Sequence, residues 1–178
     1  MTENTMTDKE KAEFVLGVYF RTQAAIERYM GRENLPEWTE HVARINSDAM
    51  RHRLPDRDDQ SRDLLSGLRA MLGVYGSDTE TRASAESTEL TVRRCGIFDY
   101  REEAARRGVT LTLDRPCEFC VDLHQRTAAH LGISAGVELA ERGCHWTVPV
   151  PSASRDASLD ASRDPSRDAS RDRAGATG

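Results

Sequence analysis

Lysine is almost missing from this chain: only Lys9 and Lys11 carry it, and arginine supplies the rest of the positive charge. Acidic side chains still prevail, 30 against 25, for a formal net charge of −5 and a pI near 5.6. Proteins that grip a nucleic-acid backbone normally present a basic surface, so this balance argues against nucleic acid as a partner. There is no apolar run of the roughly eighteen residues that a membrane-spanning helix requires, so no membrane partner is expected. The stretch MTENTMTDKEKAEF has no apolar core of the signal-peptide kind, and the expected location is cytoplasmic. Cysteine is scarce but present at four positions, Cys95, Cys117, Cys120 and Cys144. In a reducing compartment an even count does not imply disulfides. Metal binding, thiol chemistry and plain burial all remain open.

What is there falls into two parts and a tail. DKEKAEFVLGVYFRTQAAIERYMG has helical spacing, with Phe14, Val18, Ile26 and Tyr29 on an expected inward stripe and Gly31 as a stop. NLPEWTEHVARINSDAMRHR follows, with Asn34 a candidate N-cap, Pro36 in the first turn, and Trp38, Val42, Ile45 and Ala49 in register. Ser61 is then a candidate cap for RDLLSGLRAML, whose Leu64, Leu65, Leu68, Met71 and Leu72 face one way. The period then shortens. STELTVRRC alternates as a half-buried strand, YREEAARRG reads as a short helix ending at Gly108, and a further helix is expected over residues 116–132. GVELAERGCHWTVPV reads as a hairpin turning near Arg142 and Gly143. The expected fold is α+β: an N-terminal helical bundle packed with a small antiparallel sheet and further helices. Residues 1–150 form one domain, with a helical half over 1–75 and a cysteine-bearing half over 88–150. Residues 151–178 repeat ASRD-like units with five arginines against five aspartates. Nearly devoid of apolar side chains, they read as a disordered tail. The helical half is a candidate for self-association, though without sustained heptads.

The cysteines follow the spacing C-x21-C-x2-C-x23-C. Each falls at the end of an expected element, where residues distant in sequence can converge on one rim. Two thiols three apart at a helix start can grip one ion, and the helix N-terminus favours the thiolate. Four sulfurs match the tetrahedral demand of zinc or another divalent metal, with His124 or His145 as alternate ligands. Glu138 and Glu141 flank Leu139 near Cys144, where paired carboxylates can act as general base and acid beside a metal. The plain alternatives are buried cysteines and the wet face of an edge hairpin. A thioredoxin-type redox pair is disfavoured, because no βαβ pattern precedes the CxxC. His41 and His52 are expected in solvent, and His130 at a helix C-terminus.

Taken in order, RRCGIFDYREEAARRG, PCEFCVD and VELAERGCHWTV resemble the L-2-amino-thiazoline-4-carboxylic acid hydrolase-like family over roughly residues 88–148. The last segment is also similar to the cysteine-containing end of 4-vinyl reductase domains, which bind small molecules. The resemblance maps Cys95 after Arg94, Cys117 and Cys120 as the central pair, Asp122 as the acidic position, Glu138 or Glu141 as the strand glutamate and Cys144 as the final cysteine. Gly96 stands where the family has proline, and Trp146 where it has phenylalanine. The resemblance implies a metal-dependent hydrolase of a C=N bond in a cyclic amidine or thiazoline, with a small molecule as substrate. A metal-bound hydroxide would attack, and Glu138, Glu141 or His145 would move protons. Four cysteines on one zinc would instead close the site and make it structural, in a non-catalytic binding or accessory module. Cys117 as an activated nucleophile, or a thiol-based redox or metal sensor, are the further readings.

Overall fold

The computed structural model describes residues 6–109, 111 and 117–150, except for the Arg57 side chain. Within them the order is α1 (Asp8–Met30), a 3-10 turn (Arg32–Asn34), α2 (Leu35–Arg53), α3 (Arg57–Val74), β1 (Asp78–Ala83), β2 (Ser87–Arg94), α4 (Gly96–Arg106), α5 (Cys117–His130), β3 (Gly136–Leu139) and β4 (Cys144–Pro149). The strands form one antiparallel sheet in the order β1-β2-β4-β3. The fold is α+β, as the change of period implied. No helix among the described residues is long and apolar enough to cross a membrane. The repetitive tail and the expected helix start at Pro116 lie outside the described residues.

The core forms where α3 lies on one face of the sheet. Leu64, Leu65, Leu68 and Leu72 recur at helical spacing and are buried against Leu90 and Val92 of β2 and Trp146 and Val148 of β4. Burying each such side chain contributes about 1.5–3 kcal/mol, which makes this layer the main source of stability. Leu16 and Phe20 from α1, and Ile97 from α4, close it from the side.

Several sequence expectations change. On α1 the buried stripe is Leu16, Phe20, Gln23 and Ile26, whereas Phe14, Val18 and Tyr29 are exposed, Tyr29 by 81%. A buried glutamine on the inward face disguises the true phase, because a polarity pattern reads it as outward. On α2 the buried residues are Thr39, Ala43, Ser47 and Met50, beside the expected Trp38, Val42 and Ala49 rather than on them, and Ile45 is exposed. Small residues there let α2 run close along α5. α3 begins a turn before Ser61: Asp56 is its N-cap and accepts from the Asp58 amide at 2.7 Å, while Ser61 is fully buried within the helix. Asn34 does precede α2, but its side chain turns back to the Met30 carbonyl and makes no cap. Strand β1 had no sequence signal. It is an edge strand whose DTETRA sequence lacks an apolar alternation, and it exists through its pairing with β2.

The α2–α5 pair is pinned by charge as well as packing. Glu40 accepts from Arg126 at 3.1 Å, Arg44 at 3.1 Å and His130 at 2.8 Å. Arg126 is in turn bonded to Asp122 at 2.7 Å. The guanidinium of Arg126, then that of Arg44, hold the Glu40 carboxyl down at about 2, against an ordinary 4.5. A carboxylate with a depressed folded-state pKa contributes stability that is present above its unfolded value and lost as pH falls. Glu40→Gln is therefore expected to be less stable than the parent near neutrality, and to lose less stability between pH 4.5 and 2. Urea midpoints recorded across that window check this; parallel curves for the two proteins would contradict it.

Candidate functional site

The C-terminal end of β2 is where the cysteines gather. Cys95 directly follows the strand and serves as N-cap of α4. Its amide donates to the Arg142 carbonyl at 2.9 Å, which ties the β3–β4 turn to the end of β2. The next amide, Gly96, donates to Ser77 Oγ at 2.9 Å, which ties in the link between α3 and β1. Two glycines permit these close approaches. A Cβ on Gly96 would overlap the Tyr75 carbonyl, and one on Gly143 would overlap the Val92 carbonyl. Proline at 96 would also lack the N–H that Ser77 accepts.

Cys144 opens β4 opposite Val92, on the sheet face that meets the helices, and accepts from the Trp146 indole N–H at 3.2 Å. Cys117 and Cys120 occupy the first turn of α5. Thus β2, α5 and β4 bring all four cysteines into mutual electrostatic reach: ionisation of Cys120 is opposed by Cys95, Cys144 and Cys117, and that of Cys144 by Cys117 and Cys95. None is in a disulfide. Burial is the first cause in every case and pushes each thiol above its usual range, Cys144 to about 11 and Cys120 further. At neutral pH these are protonated, shielded thiols. For Cys117, burial and then the charge of Cys95 outweigh any lowering by the helix start, which does not favour the alternative reading of it as an activated nucleophile.

Aromatic side chains enclose the cluster. The Tyr19 ring packs against those of Tyr75 and Phe119, and Phe119 stacks on Trp38 at 5.0 Å. Burial, then the charge of Cys120, raises the Tyr19 phenol far above its ordinary range, and its buried hydroxyl has no partner among the described residues. His124 is half-buried with its ring edge-on to Trp146. Its Nδ1 lies 2.8 Å from the Cys120 carbonyl, which can only accept. Nδ1 therefore carries the proton. Burial lowers the pKa, keeping the ring neutral with Nε2 as its lone-pair nitrogen. Neither Tyr19 nor Ser77 was singled out as a site residue from sequence; only tertiary folding brings them to the cysteines.

The expected proton carriers lie elsewhere. Strand alternation puts His145 on the face opposite Cys144 and Trp146, between Thr91 on β2 and Glu138 on β3. His145 Nδ1 shares a hydrogen bond of 3.0 Å with Thr91 Oγ1. Glu141 is not on the strand beside Glu138 but in the exposed turn after it. The outer face thus holds Glu138 and His145, and the inner face the thiols. Among the described residues, no three His, Cys, Asp or Glu side chains are already gathered tightly enough to hold a metal ion. His41 and His52 are exposed, as expected.

A scan against protein-family models finds no match to the chain, and a search of curated proteins finds none either.

Gly96→Ala tests the packing beneath this site. The added methyl must displace the Tyr75 carbonyl, and the expected cost is about 1–3 kcal/mol, read from urea unfolding. An unchanged midpoint would show that the end of β2 has slack.

Proposed function

We propose that the chain is a thiol-rich metal-binding module of the zinc class, in which the ion ties β2, α5 and β4 together and does not itself catalyse. The placement of Cys95 after β2, Cys144 at the start of β4 and Cys117 and Cys120 in the first turn of α5, all within electrostatic reach of one another, supports this reading. Four soft sulfur donors are the set that zinc-class ions select, and a shell filled by four protein ligands is structural rather than catalytic. Clasping an ion requires the thiols to turn inward, and each cysteine has staggered χ1 wells for that rotation. The buried Tyr19 hydroxyl, without a partner among the described residues, adds a polar group within electrostatic reach of the sulfurs. His124, neutral and fixed through Nδ1, is an alternate ligand through Nε2, in the manner of metal-bound histidines whose other nitrogen is held by a carbonyl.

The hydrolase reading fares less well. Its general acid and base would be Glu138, Glu141 and His145, yet the sheet separates Glu138 and His145 from the thiols and Glu141 lies in a solvent-exposed turn. A redox sensor needs an accessible low-pKa thiol, and burial raises all four.

The experiment is a thermal unfolding series under reducing conditions, with zinc added or removed by a chelator. Binding of about one ion per chain should raise stability, by about 2.7 kcal/mol at a free concentration one hundred times the dissociation constant. Cys95→Ser, Cys120→Ser and Cys144→Ser should each lose that increment, whereas Glu138→Gln with His145→Ala should keep it. A folded parent protein whose unfolding is indifferent to zinc would overturn the reading.

A further inference from the structure

A groove of about 1050 Å³ runs between the start of α1, the end of α3 and the length of α4; it reaches Arg94 and Gly96 on either side of Cys95 but includes none of the four cysteines and forms no part of the metal-binding reading. Its floor is apolar. Leu16, Ala70, Val74, Tyr100, Val109 and Leu111 contribute to it, with Val74 left 53% exposed and Val109 51%. On α3 the groove face is Ala70, Gly73 and Val74, spaced three and four apart, and a Cβ on Gly73 would meet nothing within 4 Å. The missing side chain there is part of what keeps the groove open. A concave, mostly apolar space of this size with a few polar groups at its edge has the shape of a small-molecule site.

The edge gives the sign of the ligand. Five cations line the groove, Lys9, Lys11, Arg94, Arg106 and Arg107, against four carboxylates, Asp8, Glu13, Asp99 and Glu103. The whole chain, by contrast, carries −5. Glu103 is shared by Arg106 and Arg107, each at 2.7 Å, so one carboxylate serves two guanidiniums. Asp99 takes a second arginine from outside the groove, Arg142 at 2.8 Å, besides Arg94 at 3.6 Å. These pairs are solvent-exposed and individually weak, so an incoming anion can compete for the arginines. We propose that this groove binds an amphiphilic monoanion, an apolar acyl chain lying over Val74 and Tyr100 with its carboxylate taken by Arg106 and Arg107.

Dodecanoate is the probe, with dodecanol as its uncharged counterpart, both titrated calorimetrically into the full chain. Dodecanoate should bind saturably, and dodecanol about tenfold more weakly, the effect of losing a charge-assisted hydrogen bond. Arg106→Ala with Arg107→Ala should bring dodecanoate to the level of dodecanol. Gly73→Leu, which fills the groove where there is room and favours the helix, should remain folded by thermal unfolding and abolish both. A second substitution, Ala70→Leu, provides the same block should Gly73→Leu fail to fold. Failure of dodecanoate to bind, equal binding of dodecanol, or undiminished binding to a folded groove-filled variant would each overturn the proposal. Zinc plays no part in these titrations and none of the substituted residues is a cysteine, so their outcome is separate from that of the zinc series.

Discussion

The end of β2 is the point on which the rest of the architecture depends. Within two residues the strand stops, a helix begins, and two neighbouring segments are hydrogen-bonded to it: the β3–β4 turn through the Cys95 amide, and the α3–β1 link through the Gly96 amide. The carbonyls of Tyr75 and Val92 press against Gly96 and Gly143 where any side chain would stand. Because the approach is so close, β2, the start of α4 and the start of β4 share one small volume. Two of the four cysteines lie at that junction, and the first turn of α5 delivers the other two.

Burial then decides what the cysteines can do. Cys95 is buried and the other three are partly buried, burial raises every thiol, and all remain protonated at neutral pH. Such thiols are poor nucleophiles at neutral pH, and an ion that bound them would have to displace their protons. The period of the strand settles the other half of the chemistry. Successive residues Cys144, His145 and Trp146 must point alternately, so a histidine adjacent in sequence to a cysteine is directed to the opposite side of the sheet. Sequence proximity suggested cooperation between Glu138, His145 and Cys144; the pleat puts the first two on the face opposite the third.

The legible parts of the sequence were those where period and composition agree. The leucines of α3, the alternation of STELTVRR and the hairpin turning at Arg142 and Gly143 all read directly, because each pattern has one sensible phase. The stripes of α1 and α2 did not, since Gln23, Thr39 and Ser47 are polar residues buried on inward faces while Phe14, Tyr29 and Ile45 are apolar residues left outside. β1 was silent for a related reason: an edge strand with exposed side chains needs only a partner's hydrogen bonds, and those leave no trace in composition. The cysteine spacing suggested convergence at element ends. The aromatic enclosure by Tyr19 and Tyr75 depends on contacts across the fold that no local pattern encodes.

The most direct test of the central claim is the ligand shell of the metal-loaded protein. X-ray absorption at the zinc edge counts sulfur neighbours and gives their distance without requiring a crystal. Four sulfurs at about 2.3 Å, falling to three in Cys95→Ser or Cys144→Ser, is the result that four converging cysteines predict. A shell of oxygen and nitrogen, or a sulfur count indifferent to those substitutions, would contradict it.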